Sequence, residues 1–173
     1  MTPDPATLAR IRTGFTGLLA VYGVICIANP EVYRLLDGVD LLLHEAGHVV
    51  FAPFGEFVGY LGGTLMQLLI PLAFLLSFRH RGERYAASVV LWWVAQNFWN
   101  ISVYMRDARA QQLPLVGGGD HDWAYLLGEL GLLQHDQALA DIVRFIGVML
   151  FGYSLVLGFS YAGSPRSQPV RAS

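Results

Sequence analysis

Five consecutive residues carry the clearest chemical signal in the sequence, the stretch His44-Glu45-Ala46-Gly47-His48. On a helix, residues four apart lie on one face, so both imidazoles can reach a single metal ion. Glu45 lies one step round the helix, where it can take a proton from a water activated at that ion. This is the His-Glu-x-x-His arrangement of zinc peptidases, and two imidazoles with a further nitrogen or oxygen donor suit Zn²⁺.

A catalytic zinc site needs three protein ligands and one open position, so a third ligand must come from elsewhere in the chain. The best candidates follow three glycines at 117–119, which let the backbone approach another surface. We predict His121 and Asp122 as metal ligands, with Asp107 as the alternative. Asp122 can instead act as the N-cap of the helix that follows it.

Two polar residues near the end of a later apolar run are candidates for catalysis. Asn100 and Tyr104 lie on one helical face with Asp107. Amide and phenol donors there can stabilise a developing oxyanion, so we predict catalytic roles for both. The alternative is hydrogen bonding between membrane helices. Gln67, in an earlier run, is interpreted as structural.

Asp37 and Asp40 precede His44 by seven and four residues, so both fall on the histidine face of the helix. A carboxylate bonded to a metal-binding imidazole fixes its tautomer and raises its basicity. The alternative is that both are acids near the positive start of a helix.

Composition places these residues in a membrane protein. The 173-residue chain is 54% hydrophobic and 14% charged, with a mean hydropathy of +0.46, whereas an average soluble protein is about 25% charged. The net charge is −2 and no basic stretch occurs, which excludes a nucleic-acid binder. The single cysteine, Cys26, cannot form an intrachain disulfide. We expect one integral membrane domain over residues 1–173.

Four apolar runs approach the roughly 20 residues that cross a bilayer, at 13–28, 57–78, 85–105 and 142–162. The segment 31–54 contains the histidines and several charges, so it cannot be fully exposed to lipid. We predict an all-α polytopic transmembrane helix bundle with four spans and a partly inserted His-Glu-x-x-His helix. The alternative has five spans, with 31–54 crossing completely. A short amphipathic helix is expected at 123–133 and a disordered tail at 163–173.

Arginines set the expected orientation. They occur before the first run, after the second and after the last, at Arg10, Arg12, Arg79, Arg81, Arg84, Arg166 and Arg171. Placing all three groups in the cytoplasm gives four spans and puts the metal site at the outer face. We expect an integral protein of the bacterial cell (inner) membrane.

Glycines repeat every four residues at the start of the second run, at Gly55, Gly59 and Gly63. Small residues at this spacing let two helix backbones approach closely. The stripe therefore predicts a tight helix contact.

The His44–His48 motif on an apolar helix of a small polytopic chain resembles the site-2-protease-like membrane metalloproteases. That resemblance implies that His44 and His48 bind zinc, that Glu45 is the general base and that a later helix supplies an aspartate ligand. It covers one helix and the general layout, and the family's Asn-Pro-Asp-Gly or Leu-Asp-Gly motif is absent, so the resemblance implies either a divergent relative or a separate membrane zincin.

The sequence therefore predicts a membrane-embedded, zinc-dependent hydrolase, with a peptide or membrane-protein substrate and membrane lipids as partners. One alternative is a zinc hydrolase of a lipid or another amphiphile. The other is a non-catalytic metal-binding membrane protein with a closed coordination sphere.

Overall fold

The computed structural model describes residues 4–115 and 120–164, and these form an all-α fold without a strand. Of these described residues, 82% are helical. Six α-helices follow in order: α1 (Pro5–Ala28), α2 (Leu35–Phe51), α3 (Glu56–His80), α4 (Arg84–Arg106), α5 (Asp122–Glu129) and α6 (Asp136–Tyr161). The predicted all-α class is confirmed. The glycines at 117–119 and nearly all of the predicted tail lie outside the described residues.

Three helical stretches are long and apolar enough to cross a membrane: Pro5–Ala28, Glu56–His80 and Leu133–Tyr161. They confirm the expected membrane character. The predicted span at 85–105 does form a helix, but α4 is not among the three. Its buried side chains include Gln96 and Asn97, which lower its hydropathy. Such residues are tolerated because α4 lies inside the bundle, packed against α3 and α6.

Helix boundaries differ from the expected ones for local reasons. Helix α1 begins eight residues before the predicted run, because the Asp4 side chain accepts hydrogen bonds from the backbone N–H groups of Ala6 and Thr7, both at 3.0 Å. Helix α5 ends at Glu129, earlier than residue 133, because Gly131 has a φ of 66° and the chain leaves the helix there.

Contacts between distant segments bring three parts of the chain to one end of the bundle. The Arg12 guanidinium donates to the carbonyl of Ser164 at 2.8 Å, and the Tyr85 hydroxyl donates to the carbonyl of Arg12 at 2.8 Å. The Arg84 guanidinium lies 5.7 Å from the centre of the Tyr161 ring. The start of α1, the α3–α4 turn and the end of α6 therefore lie together.

The histidine helix lies at the opposite end. Helix α4 runs away from the shared end to Tyr104, whose ring packs edge-on against the His44 ring at 5.8 Å between centroids. Arg144, near the start of α6, donates to the carbonyl of Ile27 near the end of α1 at 2.8 Å. Helices α2 and α5 are thus placed where α1 and α4 end and α3 and α6 begin.

Helices α2 and α3 pack at backbone distance through glycines, of which only Gly63 belongs to the predicted stripe. A Cβ atom on Gly47 would overlap the carbonyl oxygen of Gly62, and one on Gly63 would lie 2.6 Å from His44 Nε2. A Cβ atom on Gly59 would lie 3.5 Å from Ala52 Cα, and one on Gly55 would have no neighbour within 4 Å. The close contact therefore uses one glycine of α2, Gly47, and two of α3, Gly62 and Gly63.

Candidate metal centre

Three side chains from two helices converge on one point. The Nε2 atoms of His44 and His48 lie 2.8 Å and 3.2 Å from the same Oδ2 atom of Asp122. The three candidate ligand atoms all lie within 4.8 Å of one another, so the group could hold a metal ion. His44 and Asp122 are buried, and His48 is half-buried.

The Nδ1 atom of each imidazole, on the side of the ring away from Asp122, lies next to a protein oxygen. The Nδ1 atom of His48 lies 2.9 Å from the carbonyl oxygen of Gly59, and that of His44 lies 3.4 Å from Gln67 Oε1. Because both partners are acceptors, each Nδ1 carries a proton, and Nε2 is the nitrogen that a neutral ring would offer to a metal ion at the shared point. Two such nitrogens and one carboxylate oxygen are the donors that a tetrahedral zinc site uses, so these residues fit zinc.

Asp122 reaches the histidines because α5 begins at this residue. The α5 N-cap is His121, whose Nδ1 accepts a hydrogen bond from the backbone N–H of Ala124 at 3.3 Å. The backbone N–H of Asp122 donates to the Tyr104 hydroxyl at 3.2 Å, which ties α5 to the end of α4. Its carboxylate also lies in the first turn of the helix, where the backbone dipole favours a negative charge.

The electrostatics of the site suit a cation. Burial alone would raise the pKa of Asp122, but its hydrogen bonds to His44 and His48 outweigh that effect and lower the pKa. The hydrogen bond to Asp122 in turn raises the pKa of His48 to about 9. A metal ion that binds at neutral pH therefore displaces a proton from His48.

The predicted ligand His121 does not join this group. The ring is 2% exposed, one nitrogen caps α5, and Nε2 lies 3.5 Å from Asp107 Oδ2. Burial lowers the pKa of His121, which favours the neutral ring. It packs at 4.2 Å between centroids against Tyr104, so it supports the start of α5. The alternative that Asp122 is the N-cap of α5 is wrong, because His121 occupies that position.

Asp107, the alternative ligand, closes the turn after α4. Its two carboxylate oxygens accept hydrogen bonds from the backbone N–H groups of Gln112 and Leu113, each at 2.9 Å. The described structure does not place it in the His44–His48–Asp122 group. These two hydrogen bonds hold the Asp107 carboxylate at the end of α4.

A cavity of about 1000 Å³ opens beside the three candidate ligands. Its lining includes six residues of interest: His44, Glu45, His48, Asn100, Tyr104 and Asp122. Glu45 lines the same cavity and does not belong to the candidate ligand group. A substrate in this cavity would lie next to both the metal position and Glu45.

Asn100 and Tyr104 line the cavity, but both already have protein partners. The Asn100 Oδ1 atom accepts from Gln67 Nε2 at 2.8 Å, and its Nδ2 donates to Asp37 Oδ1 at 3.1 Å. The Tyr104 hydroxyl accepts from the Asp122 backbone. These bonds match the alternative of hydrogen bonding between helices, and the oxyanion role of either residue stays a prediction.

Neither helix-start carboxylate touches a candidate ligand histidine, so the expectation of a direct bond is wrong. Asp40 is fully buried, and its Oδ1 accepts from Trp93 Nε1 at 2.9 Å. Asp37 faces α4, where it accepts from Asn100 and Gln96. Both carboxylates instead accept hydrogen bonds from side chains of α4.

Gln67, which sequence reasoning assigned to structure alone, is a direct partner of His44. A signal for this role existed in the sequence. Gln67 lies four residues after Gly63 and therefore on the same face of α3, the face that contacts α2. The Gln67 amide shares its face of α3 with Gly63, which contacts His44, so Gln67 also lies toward the histidine helix α2.

We expect Gly63→Ala to weaken metal binding by about tenfold or more and to cost about 1–3 kcal/mol of stability. The new methyl group would lie 2.6 Å from His44 Nε2 and push the ring off the shared point. Zinc affinity measured by chelator competition, together with thermal unfolding, checks this. Gly59→Ala is the matched control, because its methyl group meets Ala52 at an ordinary 3.5 Å. Equal affinities for the two variants would contradict the prediction.

No family model, no curated protein and no solved structure matches this chain. The fold and the site themselves therefore define its class: an all-helical protein with membrane-length helices and a buried histidine–aspartate group that could hold a metal ion.

Proposed function

We propose that this protein is a membrane-embedded, zinc-dependent hydrolase that cleaves peptide bonds. The observation that carries the proposal is the convergence of His44, His48 and Asp122 in the wall of a cavity that Glu45 also lines. Three protein donors leave a tetrahedral ion one open position, which is the pattern of catalytic zinc sites. The resemblance to site-2-protease-like enzymes agrees with this set, since it implies an aspartate ligand from a later helix.

Zinc bound here would supply Lewis-acid activation of water and of the scissile carbonyl. Glu45 would accept the proton of the attacking water and transfer it to the leaving nitrogen. Gln67 and the carbonyl of Gly59 hold the two imidazoles in the tautomer that directs Nε2 toward the site. Tyr104 holds the start of α5, and with it the Asp122 carboxylate, against the other two donors.

Charge in the cavity supports a neutral or cationic substrate over a phosphate ester. Six carboxylates line it, at Glu31, Asp37, Glu45, Glu56, Asp120 and Asp122, and no arginine lies among the described lining residues. Away from the proposed zinc position, an anionic headgroup would therefore meet repulsion without a compensating arginine. A peptide bond near a basic or neutral side chain meets no such penalty.

The second candidate is hydrolysis of a neutral lipid or another amphiphile. It is favoured by the absence of a strand from residues 4–115 and 120–164, because an extended peptide often pairs with a sheet edge. A non-catalytic metal protein is less well supported, since the fourth donor it requires was expected from His121, which caps α5 instead.

The direct test is hydrolysis by the purified protein in nanodiscs, with quenched fluorogenic peptides and fluorogenic lipid esters offered in parallel. We expect peptide cleavage that is lost on treatment with a chelator and restored by stoichiometric zinc. Peptides with basic residues should be cleaved faster than acidic ones of equal length. Cleavage of lipid esters alone would favour the second candidate, and no metal-dependent cleavage of either class would overturn the hydrolase.

We further propose four membrane spans in the bacterial inner membrane, with α4 as the fourth, α2 partly inserted and the site at the outer face. Support comes from the contacts that gather Arg12, Arg84 and the end of α6 at one end of the bundle, since basic termini favour the cytoplasm. In a Cys26→Ser background, a membrane-impermeant maleimide should label Glu31→Cys in intact spheroplasts and His80→Cys only after permeabilisation. Labelling of His80→Cys in intact spheroplasts would contradict the proposed orientation.

A further inference from the structure

A chain of hydrogen bonds links His44 to a carboxylate two helical turns away on its own helix. His44 Nδ1 lies 3.4 Å from Gln67 Oε1, Gln67 Nε2 lies 2.8 Å from Asn100 Oδ1, and Asn100 Nδ2 lies 3.1 Å from Asp37 Oδ1. The chain leaves α2, crosses α3 and α4, and returns to α2. Its two ends, Asp37 and His44, are seven residues apart.

The direction of every bond in this chain is set at its Asp37 end. An ionised carboxylate can only accept, so Asn100 must turn its amide nitrogen toward Asp37 and its oxygen toward Gln67. Gln67 must then donate to Asn100 and present its own oxygen to His44. The result is a proton on His44 Nδ1, so that Nε2, which lies 2.8 Å from Asp122 Oδ2, is the nitrogen that a neutral ring would offer to a metal ion.

Asp37 is itself held in place by two further donors. The backbone N–H of Arg34 donates to its Oδ2 at 2.7 Å, and Gln96 Nε2 donates to its Oδ1 at 2.8 Å. These bonds come from the start of α2 and from α4. The carboxylate is therefore a fixed acceptor, whose position does not depend on His44.

We infer that Asp37 is a positioning residue for the metal centre, acting through Asn100 and Gln67 to set the tautomer of His44. This inference rests on the proposed metal site. It also assigns Asn100 to the support of a ligand, because both ends of its amide are used in the chain. Outer partners of metal-binding imidazoles commonly change metal affinity by about 10- to 100-fold when they are removed.

The test begins with Asp37→Asn, which keeps the shape of the side chain but allows the amides to reverse. We expect zinc and cobalt affinities, measured by chelator competition on the full chain in nanodiscs, to fall by about 10- to 100-fold. The visible absorption of the cobalt-loaded protein should weaken or shift, since His44 would no longer present Nε2 in one fixed orientation. The change in the free energy of unfolding should be much smaller than the change in the free energy of zinc binding.

Asp40→Asn is the matched control. Asp40 lies on the same helix, is more deeply buried than Asp37 and bonds to Trp93, but it takes no part in the chain. Its replacement should leave metal affinity and the cobalt spectrum unchanged. An equal loss of affinity in Asp37→Asn and Asp40→Asn would assign the effect to general weakening of α2 and overturn the inference.

The double variant Asp37→Asn/Asn100→Asp supplies the decisive comparison. It places a carboxylate next to Gln67 Nε2 and an amide donor where Asp37 was, so the order of donors that ends at His44 is restored. We expect it to recover most of the lost affinity and the wild-type cobalt spectrum, whereas Asp37→Asn alone does not. A double variant that binds metal as weakly as Asp37→Asn would overturn the inference.

The outcomes separate this inference from the proposed function. A wild-type protein that binds neither metal removes the centre and the inference together. A wild-type protein that binds metal while Asp37→Asn binds it equally well overturns only the role of Asp37. Weak binding by Asp37→Asn with rescue by the double variant, but no hydrolysis by any form, supports the role of Asp37 and rejects the hydrolase.

Discussion

Replacing Glu45 with glutamine is expected to lower the rate of peptide cleavage by about 100- to 10,000-fold while zinc stays bound. The amide cannot accept the proton of the attacking water, and Glu45 is not in the candidate ligand group, so metal binding does not depend on it. The kcat of the zinc-loaded variant and its metal content by mass spectrometry check both parts. The rate should not recover at any pH, because an amide does not titrate in the accessible range.

Glu56→Gln is the control for this experiment. Glu56 also lines the cavity, but it lies at the start of α3 and does not belong to the candidate ligand group. We expect it to retain most of the activity and all of the metal. Full activity in Glu45→Gln would show that another group removes the proton, and loss of zinc would show that Glu45 is a ligand.

Replacing Asp122 with alanine is expected to abolish stoichiometric zinc binding, with affinity reduced by more than about 100-fold. Loss of a supporting residue alone costs about 10- to 100-fold, and the loss of a direct donor costs more. The variant also leaves two imidazoles facing each other across a buried space without the carboxylate that both of them contact. Metal content after dialysis against a zinc buffer measures the effect.

His121→Ala and Asp107→Asn separate ligation from support of α5. We expect both to retain one zinc per chain. His121→Ala should lose about 1 kcal/mol of stability, because it removes the cap of α5 and the packing against Tyr104. If His121→Ala loses as much zinc as Asp122→Ala, then His121 is a ligand and the turn before α5 adopts another arrangement in the metal-bound protein.

The histidine pair was predictable from the sequence because its geometry is local. A spacing of four residues brings two side chains to one helix face, whatever the rest of the chain does. The choice between His121 and Asp122 was not local in this sense. These residues are adjacent, and which of them faces His44 depends on where α5 begins and on the bond between Asp122 and Tyr104.

The roles of Gln67, Asn100 and Asp37 depended on long-range pairing. Each residue has a polar side chain that can serve several partners, and the pattern of one sequence does not tell which helices meet. The packing of α2 on α3 through Gly47, Gly62 and Gly63 determines that Gln67 faces His44. The central position of α4 then determines that Asn100 faces Asp37.

The separation of the candidate ligands along the chain has a consequence for biosynthesis. His44 and Asp122 are 78 residues apart, and α3 and α4 lie between them. A nascent chain that has inserted only its first half carries both imidazoles but lacks the anionic donor. Metal binding by all three candidate ligands would therefore come after insertion of α3 and α4, and in the proposed hydrolase it would precede any hydrolysis.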